Sequence, residues 1–329
     1  MSKVLIVGGA GYIGSQTNLH LLEQGLETVV FDNLVYGHIE SVPENCTFIE
    51  GDLLNPQGLI QAIQQNDIEA VVHFAAYAYV GESVEKPSKY YRNNVVGTLN
   101  LLDAMLETGV NKLIFSSTCA TFGIPNQVPI TEQTPQNPIN PYGRTKLMVE
   151  QILMDYAQAY GLSSIALRYF NACGADPQGR TGEMHDPETH LIPLILDVAA
   201  GKRDSIKVFG TDYNTPDGTC IRDYIHTCDL ASAHYLALKK LESSVAETIC
   251  ERVNLGTGRG YSVNEIIETC KKVTGQNIKI EYVERRPGDP DELIADNQKA
   301  TNYLGWKPVN SELDNIIQTA WNWHQHKNF

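Results

Sequence analysis

The chain has 329 residues, 42% hydrophobic and 19% charged, enough for one large or two modest globular domains that fold without staples. A net charge of −14 argues against general nucleic-acid binding, and no apolar run approaches the ~18 residues needed to span a bilayer. Seven scattered cysteines with no Cys-x-x-Cys pair fit reduced thiols; neither a disulfide framework nor a metal site is expected.

The N-terminal stretch lacks the basic start, apolar core and cleavage site of a signal peptide, which points to the cytoplasm. It opens on an apolar run, Lys3 to Val7, then Gly8-Gly9-Ala10-Gly11-Tyr12-Ile13-Gly14, a helical segment, a second apolar run and Asp32. Strand, glycine turn, helix, strand and acid form the phosphate-binding unit of a dinucleotide fold. The glycines let the backbone approach a pyrophosphate, which would sit on the N–H groups and positive dipole end of the helix. Asp32, 18 residues beyond Gly14, can accept hydrogen bonds from ribose hydroxyls and would repel a 2′-phosphate, so NAD is expected over NADP.

A strand at 46–50 is closed by Gly51-Asp52-Leu53; residues 57–66 read as a helix and 70–74 as a buried strand. Ala75-Ala76 then give a small-residue loop at a strand's carboxyl end, where open α/β sheets place ligands. Residues 88–109 carry helical periodicity with Ser88 as N-cap, and 112–117 read as a strand. A Pro-rich loop at 123–141, a long amphipathic helix at 142–160 and a strand at 165–170 follow. This alternation implies an α/β fold with a doubly wound parallel Rossmann sheet.

Beyond Asn171 the rhythm breaks into segments rich in Gly, Pro, Asp and His. A helix at 191–200, strands at 206–209 and 279–284, and two helices towards the C-terminus are expected there, with 253–256 returning to the first sheet. The expected division is a dinucleotide-binding domain at 1–171, with returning segments near 222–256, and a smaller mixed α/β substrate domain at 172–329.

Tyr142-Gly143-Arg144-Thr145-Lys146 is the second chemical signal. Positions i and i+4 share one helix face, so phenol and ammonium point the same way. A tyrosine with a reference pKa of ~10 is a poor base at neutral pH; an adjacent ammonium and a nicotinamide cation would both favour the phenolate. Ser116-Ser117-Thr118 ends the preceding strand, where a hydroxyl can bond a substrate oxygen beside the tyrosine.

These residues resemble the extended short-chain dehydrogenase/reductase family, most closely its UDP-galactose (UDP-glucose) 4-epimerase branch. The likeness runs nearly end to end, through Val80-Gly81-Glu82-Ser83, Asn93-Asn94-Val95 and Arg168-Tyr169-Phe170-Asn171. It continues through Gly210-Thr211-Asp212-Tyr213, Ile221-Arg222-Asp223-Tyr224-Ile225-His226 and Arg285-Arg286-Pro287-Gly288-Asp289. The resemblance implies Tyr142 as the base on the sugar 4-hydroxyl, Lys146 tuning it and holding the nicotinamide ribose, and Thr118 on the substrate oxygen. It implies NAD contacts at Gly8, Gly11, Tyr12, Ile13, Gly14, Asp32, Asn33, Asp52, Leu53, Phe74, Ala75, Ala76, Asn93, Ser116, Tyr169 and Phe170. UDP-sugar contacts fall on Asn171, His190, Leu191, Phe209, Arg222, Arg286, Asp289 and Leu293. Guanidinium forks at Arg222 and Arg286 suit diphosphate oxygens.

The implied reaction is redox-neutral inversion at C4. Hydride leaves the hexose for a tightly held NAD, the 4-keto sugar swings about its diphosphate link, and hydride returns to the other face. A homodimer pairing the 88–109 and 142–160 helices is implied as well. Ala78 replaces a lysine found in some epimerases, His190 stands where relatives carry asparagine, and Leu293 is an intermediate gate residue. UDP-arabinose/UDP-xylose and UDP-N-acetylhexosamine 4-epimerisation remain open as alternatives. A sugar-nucleotide 4,6-dehydratase would need an Asp-Glu pair after Thr118, where this chain has Cys119-Ala120.

Overall fold

The computed structural model describes residues 3–244, 247–286 and 288–326. Pro287 of the 285–289 motif therefore lies outside the described residues. Six strands follow one another with helices between them: β1 (Lys3–Val7), β2 (Glu27–Asp32), β3 (Thr47–Glu50), β4 (Ala70–His73), β5 (Lys112–Thr118) and β6 (Ser163–Tyr169). Then come β7 (Asn171–Cys173), β8 (Ile206–Phe209), β9 (Ile221–His226) and β10 (Cys250–Leu255). The last three are β11 (Gly260–Ser262), β12 (Ile280–Val283) and β13 (Glu292–Leu293).

One seven-stranded sheet runs β10-β6-β5-β4-β1-β2-β3, parallel throughout. The order reverses between β1 and β4, and that switch point is where doubly wound sheets open a crevice at their carboxyl ends. β10 does return to the sheet, adding to its edge beside β6. Because successive strand residues face opposite sides, β1 splits its run between two cores. Val4 and Ile6 pack with Val30, Val72, Ile165 and Trp306 on one side; Leu5 and Val7 pack with Val29, Val71, Leu101 and Phe115 on the other. Burial on both faces explains why these strands read as continuous apolar runs.

Four short strands, β7, β9, β11 and β13, form a second sheet, and β8 pairs with β12. A third core, around Ile192, Leu196, Ile266, Ile317 and Trp321, packs under these smaller sheets. Its Val263–Thr274 helix starts with a reciprocal capping box between Ser262 and Glu265.

Three expectations change in detail. The 88–109 helix begins at Pro87, so Lys86 rather than Ser88 occupies the cap position. Proline's fixed φ and missing N–H favour the first helical turn, which moves the start two residues earlier than a serine cap implies. The segment is not uniformly α-helical either, because Tyr91–Val96 is a π-helical turn before Gly97–Thr108 resumes. Of the two C-terminal helices, the first is only a π-turn at Ala300–Leu304, and the second is Leu313–Gln325. Among the described residues, no helix is long and apolar enough to cross a membrane.

Candidate active site

At the carboxyl ends of β1, β2, β4, β5 and β6 the chain encloses a cavity of about 430 Å³. Its floor is the turn after β1. Gly8 has φ 84°, and a Cβ there would meet the Ala75 backbone nitrogen at 2.5 Å, so only glycine lets the turn approach the 74–76 loop. Gly11 caps the Tyr12–Glu23 helix without any side-chain hydrogen bond, and no acidic residue lies in its first turn. Free backbone N–H groups and a positive dipole end thus face the cavity, a cradle suited to a pyrophosphate.

Asp32 ends β2 with its carboxylate held by the Ala10 and Leu34 amides at 3.0 and 2.9 Å; burial pushes its pKa up. Asn33, Leu53, Phe74, Ala75, Ala76, Asn93, Ser116, Tyr169 and Phe170 line the cavity together with Gly8, Gly11, Tyr12, Ile13, Gly14 and Asp32. Asp52 stands behind this wall, accepting a hydrogen bond from Asn33 at 2.9 Å. Where Ala78 leaves no cation of its own, Lys89 lies 4.1 Å from the Tyr77 ring centre and bonds Tyr36 and Glu82. That ammonium is already paired with the Glu82 carboxylate, so the charge behind the tyrosine rings is balanced locally.

Asn140 caps the Pro141–Tyr160 helix through the Gly143 amide at 2.8 Å, with Pro141 in the first turn. This start sets Tyr142 and Lys146 one turn apart, both facing the cavity beside Thr118 at the end of β5. Burial pushes the Tyr142 phenol up to about 12, opposed by a hydrogen bond to the Thr118 side chain. Burial pulls the Lys146 ammonium down to about 7, opposed by Glu150. Lys146 donates to the Ser116 carbonyl at 2.7 Å and lies 4.8 Å from the Phe115 ring centre. One turn further along the same helix, Glu150 accepts from Ser117 and takes two hydrogen bonds from Arg168 at 2.9 and 2.6 Å.

Asn171 and His190 reach the same cavity, and Leu191 opens the helix directly behind His190. Phe209, Arg222, Arg286 and Asp289 gather as a separate cluster. Arg286 pairs with Asp289 at 2.9 Å and stacks on Phe209 at 4.8 Å, while Arg222 lies 3.9 Å from Asp289. Asp223 takes no part, because its carboxylate is filled by the Thr257, Gly258 and Ala295 amides. Leu293 pairs in register with Arg222 and packs near Phe170 and Cys119, which both line the main cavity.

Sequence reasoning missed several contributors. Asn94 ties the 77 loop to Thr145 through three hydrogen bonds, and Tyr169 meets His234 at 2.5 Å. Glu183, His185 and Glu188 gather with His190 in one cluster at the cavity's edge. Burial opposes the charge of these imidazoles, but the carboxylates outweigh it, pushing His185 up to about 9 and His190 to about 10.

A doubly wound sheet, a dinucleotide cradle and a Tyr-x-x-x-Lys pair beside Thr118 define a protein of the extended short-chain dehydrogenase/reductase class. A family model described as GDP-mannose 4,6 dehydratase matches residues 5–319. UDP-glucose 4-epimerase of Halalkalibacterium halodurans is 51% identical, over 98% of this chain and 95% of that protein. The crystal structure of UDP-glucose 4-epimerase from Brucella ovis in complex with NAD superposes with a TM-score of 0.95 at 54% identity, covering 98% of both chains. That of the Bifidobacterium longum enzyme in complex with NAD+ and UDP gives 0.93 at 38%, covering 99% of both. The chain belongs to the UDP-glucose 4-epimerase family.

Proposed function

We propose that this protein is an NAD-dependent isomerase that interconverts UDP-galactose and UDP-glucose by inverting C4 of the hexose. The observation that carries this reading is the single cavity shared by the glycine cradle and by Tyr142, Thr118 and Lys146. Full-length kinship to UDP-glucose 4-epimerases, two of them solved with the cofactor, supports it. The cradle fits NAD: its uncapped helix start and close Gly8 turn suit the pyrophosphate, and Asp32 suits ribose hydroxyls.

Bound NAD would take the C4 hydride and return it to the opposite face of the sugar. Tyr142 removes the 4-hydroxyl proton and later gives it back, so a 4-keto sugar stands between the two half-reactions. Thr118 bonds the same oxygen and the phenol, fixing the donor–acceptor geometry. The pKa of about 12 belongs to Tyr142 with Lys146 already beside it; a cationic nicotinamide would favour the phenolate and bring it towards working range. Lys146, already held by Ser116, is positioned to bond the nicotinamide ribose. Arg222, Arg286 and Asp289, with Asn171, His190, Leu191 and Phe209, hold the UDP, and Leu293 flanks the hexose. Asp52 supports the adenosine end through Asn33.

A dehydratase reading loses its acid here. Cys119 follows Thr118, and burial pushes its thiol up to about 12, so it offers no proton donor of the required strength. We read residues 1–171, with 222–256, as the cofactor domain and 172–329 as the substrate domain. Exposed Val96 and Met148 on the two long helices support a homodimer that covers them. Seven free thiols, described as unpaired with one another, support the reducing cytoplasm as the compartment.

The test is incubation without added NAD, separately with UDP-galactose, UDP-N-acetylgalactosamine and UDP-arabinose, with products resolved by chromatography. UDP-glucose formation is the expected result. Turnover of only one of the other sugars would move the substrate and keep the chemistry, whereas no turnover of any, even with NAD supplied, would overturn the reading.

A further inference from the structure

The loop between β7 and the Leu191–Ala199 helix repeats one short pattern, Glu183-Met184-His185 and Glu188-Thr189-His190. Folding brings both pairs together at the cavity's edge. His185 Nδ1 lies 3.3 Å from Glu183 and 3.6 Å from Glu188; His190 Nδ1 lies 2.7 and 3.0 Å from the same two carboxylates. All four donor atoms fall within 4.8 Å of one another.

We propose that Glu183, His185, Glu188 and His190 form a four-ligand site for a divalent cation of the zinc class, clipping this loop into one shape.

Donor chemistry supports it first. Two imidazoles and two carboxylates suit zinc and its neighbours in the first transition row, and the two carboxylates balance a 2+ ion once it displaces the protons they now hold on the imidazoles. Geometry supports it next. Ligand distances of about 2.0–2.2 Å in a tetrahedron place neighbouring donors ~3.3–3.6 Å apart. His185 has that spacing to Glu183 Oε1 and Glu188 Oε2, whereas His190, 2.7 Å from Glu183 Oε1, would withdraw by ~0.6–0.9 Å.

A separate observation comes from hydrogen bonding. His185 Nδ1 is sealed from solvent and completes no hydrogen bond, although it points into the cluster. The Glu183 side chain is only 8% exposed, yet no lysine or arginine pairs with it or with Glu188 among the described residues. A buried carboxylate facing only imidazoles, one of them unsatisfied, is the arrangement a cation would complete.

The supporting shell is fixed from outside. Trp323 donates to the Glu183 carbonyl at 3.0 Å, and His38 Nε2 lies 3.1 Å from the Met184 carbonyl. Glu188 Oε1 accepts from the Thr189 and His190 amides at 2.7 and 2.8 Å, leaving Oε2 to face His185. A loop held by two other parts of the chain and by its own amides needs little rearrangement on binding. The net charge of −14 adds a favourable field for a cation.

His190 meets the cluster through Nδ1, which leaves Nε2 for the UDP contact proposed above, and the readout is independent of turnover. Untagged full-length protein, stripped with chelator and dialysed, would be titrated with Co2+ and followed by visible absorption. One equivalent per chain is expected, giving the intense ligand-field bands of a tetrahedral nitrogen–oxygen site, without thiolate charge transfer and displaced by Zn2+. His185→Ala and Glu188→Gln should each weaken this uptake by about tenfold or more. Far-UV circular dichroism checks that each is folded, and the isosteric Glu188→Gln carries the comparison if His185→Ala is not. No bands at one equivalent, bands with thiolate character, or bands unchanged in a folded variant would overturn the proposal.

Discussion

At the dinucleotide end of the cleft the wall is backbone. Gly8 sits at φ 84° against the Ala75 amide, the helix after it starts without a side-chain cap, and five parallel strands end around it. At the end proposed to hold UDP the wall is side chains. Arg222 and Arg286 lean on Asp289, Phe209 is 37% exposed, and Arg286 rests on its ring. The first surface is fixed before any ligand arrives; the second consists of charges that satisfy one another until a ligand displaces the pairing. A catalyst that keeps its cofactor through every turnover and lets a sugar turn over needs that asymmetry.

The largest effect should come where the two ends meet. Tyr142→Phe removes the proton acceptor and should lower kcat by ~10²–10⁴-fold. The NAD released on denaturation should be unchanged, because the cradle is untouched. A loss of only a few fold would show that the phenol is not the base.

Under the rigid end lies the pair Glu150–Arg168, each side chain 1% exposed. Burial works against the carboxylate, and the Arg168 hydrogen bonds outweigh it, holding its pKa below the usual range. Glu150→Gln leaves a buried guanidinium without its counter-charge and should cost about 3–5 kcal/mol in urea unfolding. A folded pKa below the unfolded value of ~4.3 means the contribution is complete above that pH. It is lost as pH falls through the folded value, so wild type and variant should converge in acid. Equal stability at neutral pH would contradict the role given to this pair.

Arg286→Ala addresses the adjustable end alone. Losing charge-assisted bonds of about 1.5–3 kcal/mol should raise KM for the UDP-sugar by ~10–100-fold, with little change in kcat or NAD content. A fall in retained NAD instead would erase the division between the two ends. Phe209→Ala, which removes only the ring beneath that guanidinium, should raise KM by ~2–5-fold.

How much could be read from the sequence follows the same divide. β1, the glycine turn and Asp32 declare themselves because strand, turn and helix are each local and each demand particular residues. Tyr142 and Lys146 share a helix face by spacing alone. The 183–190 cluster hides because its Glu-x-His pairs sit in a loop without periodicity. Trp323, which pins that loop, comes from the far end of the chain. Arg222 and Arg286 are visible only through family resemblance, since nothing local brings β9 to the loop after β12. The Ser88 cap fails because Pro87 starts the helix two residues earlier than that cap implies.

The most direct measurement uses UDP-galactose carrying deuterium at C4, incubated with the enzyme in ordinary water without added NAD. Product UDP-glucose should retain the label at C4, since the hydride that leaves one face returns to the other within a single closed cycle. Exchange of that position with solvent hydrogen would mean that C4 is inverted through proton abstraction, and would contradict the mechanism assigned to Tyr142 and the dinucleotide cradle.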